Sequence, residues 1–401
     1  MVIDNKDKKV IKSSIERGQN ELACSAEREK IKGSKNLNVP HLRFPEFRGE
    51  WETKSINDLA VVIGGGTPDT TVKSYWDGEI QWFTPSEIGK NKYVDSSLRT
   101  ITEEGLNNSS AKLLPPNTIL LSSRATIGEC SLSLRECTTN QGFQSLVSKK
   151  CNVDFLYYLI QTKKKDLIRR SCGSTFLEIS ANEVRKIQVS VPSDVEQQKI
   201  AELLSLIDER IATQNKIIDK LQSLIKGLAV TLTTKGKPNT AISQCLECHS
   251  STLQESKVLP NGLYKVFGAN GLVGYTDVSQ MNGDAILVIK DGSGVGTTSY
   301  AQGKFSVIGT LNYLTILGNY DLRYLYFALS VFNFQPYKTG MAIPHIYFKD
   351  YSNAKIYCPP LTEQKRIANV LGKLESKLLL EQELITLFNQ QKQYLLGQVF
   401  I

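Results

Sequence analysis

A repeated segment constrains the fold of this 401-residue chain more than any other feature of its sequence. The stretch PSDVEQQKIA at residues 192–201 recurs as PPLTEQKRIA at residues 359–368, a shift of 167 residues. Each copy begins a stretch of about forty residues in which apolar side chains recur at alternating steps of four and three, the spacing of a coiled coil. The repeat therefore predicts two long helices that pack on each other.

Polar residues stand at equivalent mid-seam positions of the two predicted helices, Gln214 in the first and Glu381 in the second. A polar seam residue fixes the register of a coiled coil at some cost in stability. In an antiparallel pair with a two-fold axis near the helix centres, both side chains would lie close to that axis; the alternative is that they face solvent at a gap in the seam. The predicted seam consists of Ile200, Leu204, Ile207, Ile211, Gln214, Ile218 and Leu221 in the first helix, and of Ile367, Leu371, Leu374, Leu378, Glu381, Ile385 and Phe388 in the second.

Chain geometry favours an antiparallel arrangement of these helices. A helix of about 37 residues is about 55 Å long, whereas a globule of about 120 residues, the length between the helices, has a radius of gyration of about 14 Å. Starting the second helix beside the end of the first is therefore easier than carrying the chain back a full helix length. Outside the helices, short apolar runs alternate with Gly, Pro and Asn turns, which is typical of mixed α/β structure. The predicted fold is two mixed α/β (α+β) domains at opposite ends of a pair of long antiparallel coiled-coil helices, duplicated with pseudo-two-fold symmetry.

The same 167-residue shift relates parts of the two globular segments. NTILL at residues 117–121 matches DAILV at residues 284–288 as a strand, and Gly173 and Ile179 match Gly340 and Ile346. The predicted order along the chain is a flexible charged extension (residues 1–38), a first globular domain (39–190), a central helix (191–234), a second globular domain (235–357) and a C-terminal helix (358–401).

Composition excludes several other classes of protein. Hydrophobic residues make up 41% of the chain and charged residues 22%, which rules out a mainly disordered, collagen-like or disulfide-dense protein. The eight cysteines are scattered, no apolar run reaches the roughly 18 residues of a membrane span, and residues 1–12 lack the apolar centre of a secretory signal. We therefore expect reduced thiols and a cytoplasmic protein without a membrane partner. The 48 basic and 40 acidic residues, a net charge of +8, fit a polyanionic partner without requiring one.

Motifs that could carry chemistry are incomplete in this sequence. Cys245-Leu-Glu-Cys248-His249 matches the haem-attachment pattern, but without an export signal or a second CxxC for zinc, two buried or idle thiols are favoured over haem or zinc. The glycine cluster at residues 63–68 lacks the Gly-Lys-Ser/Thr ending of a phosphate loop. In residues 285–296, Lys290 stands where an acidic residue should precede the first glycine, and no amphipathic helix follows, so a tight turn is favoured over a nucleotide or S-adenosylmethionine site. The three histidines form no recognisable metal or triad pattern. The sequence predicts no catalytic centre and no metal site.

Polar and aromatic loops with basic side chains flank several predicted strands. Arg and Lys can read guanine in the major groove, while Ser and Thr mostly position the DNA backbone through phosphate. For each residue taken singly, the alternative is an ordinary solvated loop. The candidate DNA-binding residues are Thr67, Lys73, Tyr75, Trp82, Ser123, Arg124, Lys290, Ser293, Lys338 and His345.

From Val39 onwards, the sequence resembles the specificity subunits of type I restriction–modification systems. The resemblance is carried by GGTP at residues 65–68, YWDGEIQW at 75–82, YKVFGANGLVGY at 264–275, LRFPEF at 42–47 and the two repeated helix starts. It implies that the globular domains are target-recognition domains, each reading one half of a bipartite site in double-stranded DNA. It also implies that the helices act as the spacer between the half-sites and dock two modification subunits.

The resemblance further implies that this chain is not itself an enzyme and holds no cofactor. S-adenosylmethionine would bind to the modification (methyltransferase) subunits, and ATP and Mg²⁺ would serve the restriction (translocase and endonuclease) subunits. The extension at residues 1–38 departs from the family pattern. Three alternatives stay open: a self-sufficient methyltransferase, a two-headed scaffold for proteins or glycans, and the specificity chain of another restriction type.

Overall fold

The computed structural model describes residues 38–173 and 177–401. The predicted charged extension lies outside the described residues apart from Asn38, whose side-chain amide donates to the Trp51 carbonyl oxygen at 2.6 Å. The described residues divide into two compact units. Unit 1 comprises residues up to Ser205 together with Gln393–Ile401, and unit 2 comprises Leu206–Lys392.

Unit 1 is built from short strands and helices. Its strands are β1 (Glu52–Ser55), β2 (Ala60–Gly64), β3 (Trp76–Phe83), β4 (Tyr93–Val94), β5 (Arg99–Ile101), β6 (Ile119–Leu121), β7 (Cys130–Ser133), β8 (Cys137–Thr139), β9 (Gln144–Ser148) and β10 (Gln188–Val191). Its helices are α1 (Ile56–Leu59), α2 (Glu103–Asn107), α3 (Val153–Thr162), α4 (Lys164–Arg169), α5 (Ala181–Arg185) and the first turns of α6 (Asp194–Thr233).

A five-stranded sheet forms the centre of unit 1, with strand order β2-β9-β6-β7-β4. A three-stranded sheet, β5-β3-β8, and the antiparallel pair of β1 with β10 complete its β-structure. Helix α3 is apolar on most of its surface, and it buries Phe155, Leu156 and Leu159 in the largest core of the unit. The same core takes up Leu204 of α6 and Phe400 near the chain end, so both long helices are anchored in it.

Unit 2 repeats this mixed architecture. Its strands are β11 (Thr240–Ala241), β12 (Leu246–Ser250), β13 (Tyr264–Gly268), β14 (Gly271–Thr276), β15 (Met281–Asn282), β16 (Ala285–Ile289), β17 (Thr298–Ala301), β18 (Lys304–Val307), β19 (Leu311–Ile316) and β20 (Lys355–Ile356). Its helices are α7 (Ile242–Cys245), α8 (Leu322–Ser330), α9 (Phe348–Tyr351) and most of α10 (Leu361–Val399), in addition to the rest of α6. Two four-stranded sheets, β12-β19-β16-β17 and β14-β13-β18-β15, accompany the short pair of β11 with β20.

The two long helices, α6 with 40 residues and α10 with 39, pack antiparallel within unit 2. Lys392, late in α10, is paired with Asp208, early in α6, at 2.6 Å. Lys235, two residues after the end of α6, is paired with Glu363 in the first turn of α10 at 2.8 Å, so the end of each helix lies beside the start of the other. All fourteen predicted seam positions are buried or half-buried. The predicted mixed α/β class with two long antiparallel helices is confirmed.

The repeated Glu-Gln pair at the helix starts has a structural role in both units. The second residue of the pair, Gln197 in α6 and Gln364 in α10, donates from its amide to the Pro192 or Pro359 carbonyl oxygen at 3.0 or 2.7 Å. Its side-chain oxygen accepts from the backbone N–H of Asn152 or Asp321, the residue that caps α3 or α8. Both glutamines are almost completely buried, so each ties the start of a long helix to the neighbouring short one.

Candidate nucleic-acid interface

In unit 1 the loop that follows β6 is joined to residues 171–173 and 177–179. Arg124 and Cys172 both form β-bridges with Glu178, and the Ile179 N–H donates to the Ser123 carbonyl oxygen at 3.1 Å. The Arg124 guanidinium is paired with the Glu178 carboxylate at 2.9 Å, and both side chains are partly exposed. The strand-end loop and these described residues therefore form one surface.

Unit 2 contains the same arrangement 167 residues later. Asp291, in the loop that follows β16, forms a β-bridge with His345, and His345 forms another with Thr339. The Ile346 N–H donates to the Lys290 carbonyl oxygen at 2.9 Å, the counterpart of the bond between Ile179 and Ser123. The match that the sequence shows at Gly340 and Ile346 therefore extends to the backbone pairing.

The candidate residues of unit 2 lie on this surface. Lys290 and His345 belong to the two segments joined by the β-bridge, and Lys338 directly precedes the bridged Thr339. Ser293 is exposed in the same loop as Lys290, whereas Lys290, Lys338 and His345 are half-buried. The structure thus brings three basic or titratable side chains to one loop-and-hairpin surface.

A second cluster in unit 1 consists of two tryptophans and an arginine. Trp76 and Trp82 pack edge to face with ring centroids 5.1 Å apart, and the Trp82 indole N–H donates to the Gly66 carbonyl oxygen at 2.9 Å. The exposed Arg99 guanidinium lies 3.5 Å from the Trp76 ring centroid, a cation–π contact. Gly66 has no room for a side chain, because a Cβ there would lie 2.4 Å from the Ala111 nitrogen.

The other candidate residues of unit 1 differ in their exposure to solvent. Lys73 is exposed and Tyr75 half-buried, both in a short 3₁₀-helix, and the Thr67 hydroxyl donates to the Gln141 side chain. Trp82 is only 5% exposed and Ser123 fully buried. In this conformation the side chains of Trp82 and Ser123 therefore lie in the interior beneath the loops.

Sequence reasoning missed Arg99, because its stacking on Trp76 depends on the pairing of β3 with β5. In that pairing Trp82 lies opposite Arg99 and Trp76 opposite Ile101. No local spacing in the sequence predicts the contact of Arg99 with Trp76. The only indication is an arginine close in sequence to a strand with two tryptophans.

The cysteine motif of unit 2 is part of the packing of this unit. The Cys245 thiol donates to the Ile242 carbonyl oxygen at 3.3 Å, and the His249 ring stacks on Tyr313 with its Nε2 2.8 Å from the Thr315 hydroxyl. Burial raises the pKa of the Cys248 thiol to about 11. Within residues 38–173 and 177–401, no group of three or more His, Cys, Asp or Glu side chains is placed to hold a metal ion. No helix in the described part of the chain is long and apolar enough to cross a membrane.

Two mixed α/β units with equivalent loop surfaces, and two long antiparallel helices, define a protein built by duplication of one structural unit. The chain belongs to the family of the type I restriction modification DNA specificity domain, whose family model matches residues 48–223 and again residues 247–389. The resemblance noted in the sequence is thereby confirmed.

Individual relatives agree with this family. The chain is 40% identical over 183 residues to the type I restriction enzyme MjaIX specificity subunit of Methanocaldococcus jannaschii, covering 43% of this chain and 42% of that protein. The chain thus spans about two fifths of that relative's length. It is 25% identical over 345 residues to the EcoprrI specificity subunit of Escherichia coli, covering 78% of this chain and 84% of that protein.

Solved structures show the same fold. The type I restriction–modification S subunit from M. genitalium matches with a TM-score of 0.60 and 17% sequence identity, over 90% of this chain and 99% of that one.

Proposed function

We propose that this chain reads a bipartite site in double-stranded DNA for a type I restriction–modification complex, one half-site per unit. The observation that carries the proposal is the repeated loop-and-hairpin surface, in which Arg124 bridges to Glu178 in unit 1 and Asp291 to His345 in unit 2. Two copies of one surface suit a split target, because each copy can read its own bases.

The side chains on these surfaces suit DNA. Arg124, Lys290 and Lys338 can contact guanine edges or phosphates, and Arg99 adds a cation already oriented by an aromatic ring. Lys and Arg contacts to phosphate release counterions, so the affinity should fall steeply with salt. Methyl transfer and cleavage are assigned to the partner subunits, which would hold S-adenosylmethionine, ATP and Mg²⁺.

The helix pair is proposed to set the gap between the half-sites and to dock two modification subunits. Within unit 2, one side of the helix seam carries exposed leucines and isoleucines, and the other side carries polar residues at equivalent positions. The apolar side includes Leu206, Ile217, Leu224, Leu380, Leu384 and Leu387, and the polar side includes Asp208, Asn215, Gln222, Glu375, Gln382 and Asn389. An exposed apolar stripe of this kind marks a protein–protein interface.

Co-purification with a modification subunit, followed by genome-wide mapping of methylated adenines, tests the proposal. We expect a stable complex and one split motif that is methylated only when this chain is present. The variant Leu380→Asp/Leu384→Asp should lose the modification subunit, whereas Gln382→Asp/Asn389→Asp on the polar side should keep it. A chain that forms no complex and does not bind duplex DNA at moderate salt would contradict the proposal and favour the scaffold alternative.

A further inference from the structure

The hairpin of unit 2 presents apolar side chains to solvent at its tip. Thr339 and His345 exchange backbone hydrogen bonds of 2.9 and 2.8 Å, and the turn between them begins at Gly340. Met341 is fully exposed and Ile343 is 67% exposed. Met341 and Ile343 stand together at the end of a tight turn, so they form one exposed apolar patch, which makes the tip a candidate contact site.

The tip is held in place by backbone contacts. The Gly292 N–H donates to the Pro344 carbonyl oxygen at 2.9 Å, and the Ile346 N–H donates to that of Lys290 at 2.9 Å. Gly340 has a φ of +86°, and a Cβ at this position would lie 2.4 Å from the Ile343 carbonyl oxygen. The turn is therefore tight, and backbone hydrogen bonds fix the position of the segment that carries Met341 and Ile343.

Basic residues lie in the segments next to this tip. Lys338 begins the hairpin, Lys290 is hydrogen-bonded to its end, and the Lys349 ammonium lies 5.3 Å from the centroid of the exposed Tyr347 ring. The acidic residues of the same segments are Asp291 and Asp350, so these segments hold three lysines and two carboxylates, with His345 in addition. An apolar tip next to segments with a small excess of basic residues is complementary to duplex DNA, whose phosphates flank an apolar stack of bases.

We propose that Met341 and Ile343 form a wedge that inserts between base pairs of the half-site read by unit 2. This inference rests on the proposed function. Apolar wedges of Met and Ile unstack a base step and kink the duplex, and the apolar surface that they bury offsets the cost of unstacking. The wedge makes recognition depend on how easily that step deforms, in addition to the bases that the loops contact.

The test uses the complex of the full chain with its modification subunits, without S-adenosylmethionine. The duplex carries the mapped motif, with 2-aminopurine placed in turn at each position of the unit 2 half-site except the methylated adenine. We expect binding to raise 2-aminopurine fluorescence severalfold at one step. In Met341→Ser/Ile343→Ser this rise should disappear and the affinity should fall about tenfold, whereas Met341→Leu/Ile343→Leu should keep the rise.

The matched control is Leu263→Ser/Val278→Ser, which removes two apolar side chains of unit 2 that are 75% and 76% exposed. It should behave as the wild type. A fluorescence rise that survives in Met341→Ser/Ile343→Ser, or no rise at any position of a bound wild-type duplex, would overturn the wedge while leaving the proposed function intact. Loss of the modification subunit from that variant with an unchanged rise would also overturn it and assign the tip to protein docking. Failure of the wild-type complex to bind any duplex would overturn both proposals.

Discussion

Glu196 and Glu363 occupy equivalent positions of the repeat but have different surroundings. Glu196 is 1% exposed and accepts two hydrogen bonds of 2.8 Å from the Arg43 guanidinium and one of 3.3 Å from the Trp51 indole. Glu363 lies nearer the surface, where ion pairs with Arg366 and Lys235 lower its pKa to about 2. One repeated residue therefore joins the N-terminal segment to the core in unit 1 and forms surface ion pairs in unit 2.

Replacing Glu196 should destabilise unit 1 specifically. Glu196→Ala leaves the Arg43 guanidinium and the Trp51 indole without this buried partner, and breaking a buried pair in this way costs about 3 kcal/mol. Urea unfolding, monitored by tryptophan fluorescence, measures the loss of stability in unit 1, because all three tryptophans lie in this unit. The control is Glu46→Ala. It removes the exposed ion-pair partner of Lys199, which lies on α6 like Glu196, and it should not change the urea midpoint of unfolding. Equal shifts in both variants would contradict the role given to Glu196.

Arg124 should affect reading of the unit 1 half-site. Removing its side chain in Arg124→Ala should lower the affinity for the methylated motif about tenfold and relax discrimination at one base pair. Fluorescence anisotropy with the motif and with singly substituted duplexes measures both effects. The control is Arg135→Ala, since Arg135 follows β7 at the opposite end of the β6–β7 hairpin and pairs with Asp95. An affinity unchanged in Arg124→Ala would exclude this loop from the interface.

At the residue scale, sequence reasoning located loops better than it located individual contacts. Lys290, Lys338 and His345 do share a surface, because the repeat already matched their segments to those of the first half. The sequence pattern predicts Trp82 as a surface residue of its loop, but strand β3 turns it inward against Trp76. Strand direction and sheet pairing decide such contacts, and both depend on residues far away in the chain.

The helix pair was the element best predicted from sequence, because heptad spacing depends only on local periodicity. Gln214 and Glu381 are partners in it: the Gln214 amide donates to the Glu381 carbonyl oxygen at 3.2 Å and to its carboxylate. Two residues related by the repeat shift meet here, as expected where a pseudo-two-fold axis crosses the pair. The sheets were predicted only as strands, since their order follows from long-range pairing.

The pair of Gln214 and Glu381 should fix the register of α6 against α10 more than it stabilises the helix pair. Glu381→Leu leaves the buried Gln214 amide without its side-chain partner and should speed hydrogen exchange in the middle of α6 about tenfold. Gln214→Leu/Glu381→Leu should restore wild-type protection or exceed it, because an apolar pair replaces a polar one. Mass spectrometry of the helix peptides measures the exchange. A double variant less protected than Glu381→Leu would show that the polar pair is itself stabilising.

The length of α6 should control the gap between half-sites. Inserting one heptad adds about 10 Å, roughly three base pairs, while keeping the seam in phase. The methylated motif should then change its spacer length or disappear. The same seven residues inserted at the exposed turn of Gly303 are the control and should leave the motif unchanged. An unaltered gap after insertion in α6 would refute the spacer role.

At the scale of the whole molecule, duplication is the feature that connects sequence to function. The 167-residue shift predicted two domains and two helices, and it also relates the backbone pairing of the two loop-and-hairpin surfaces. Base preference could not be predicted, because it depends on loop conformations that contacts far away in the chain decide. The apolar tip of unit 2 became apparent only from the exposure of Met341 and Ile343.

The central claim is that each unit reads its own half-site, and exchanging one domain tests it most directly. Residues 39–190 would be replaced by the corresponding domain of another specificity subunit, and methylated adenines would be mapped genome-wide with the same modification subunit. The account predicts a new split motif in which one half changes while the other half is kept. A change in both halves of the motif would contradict independent reading by the two units.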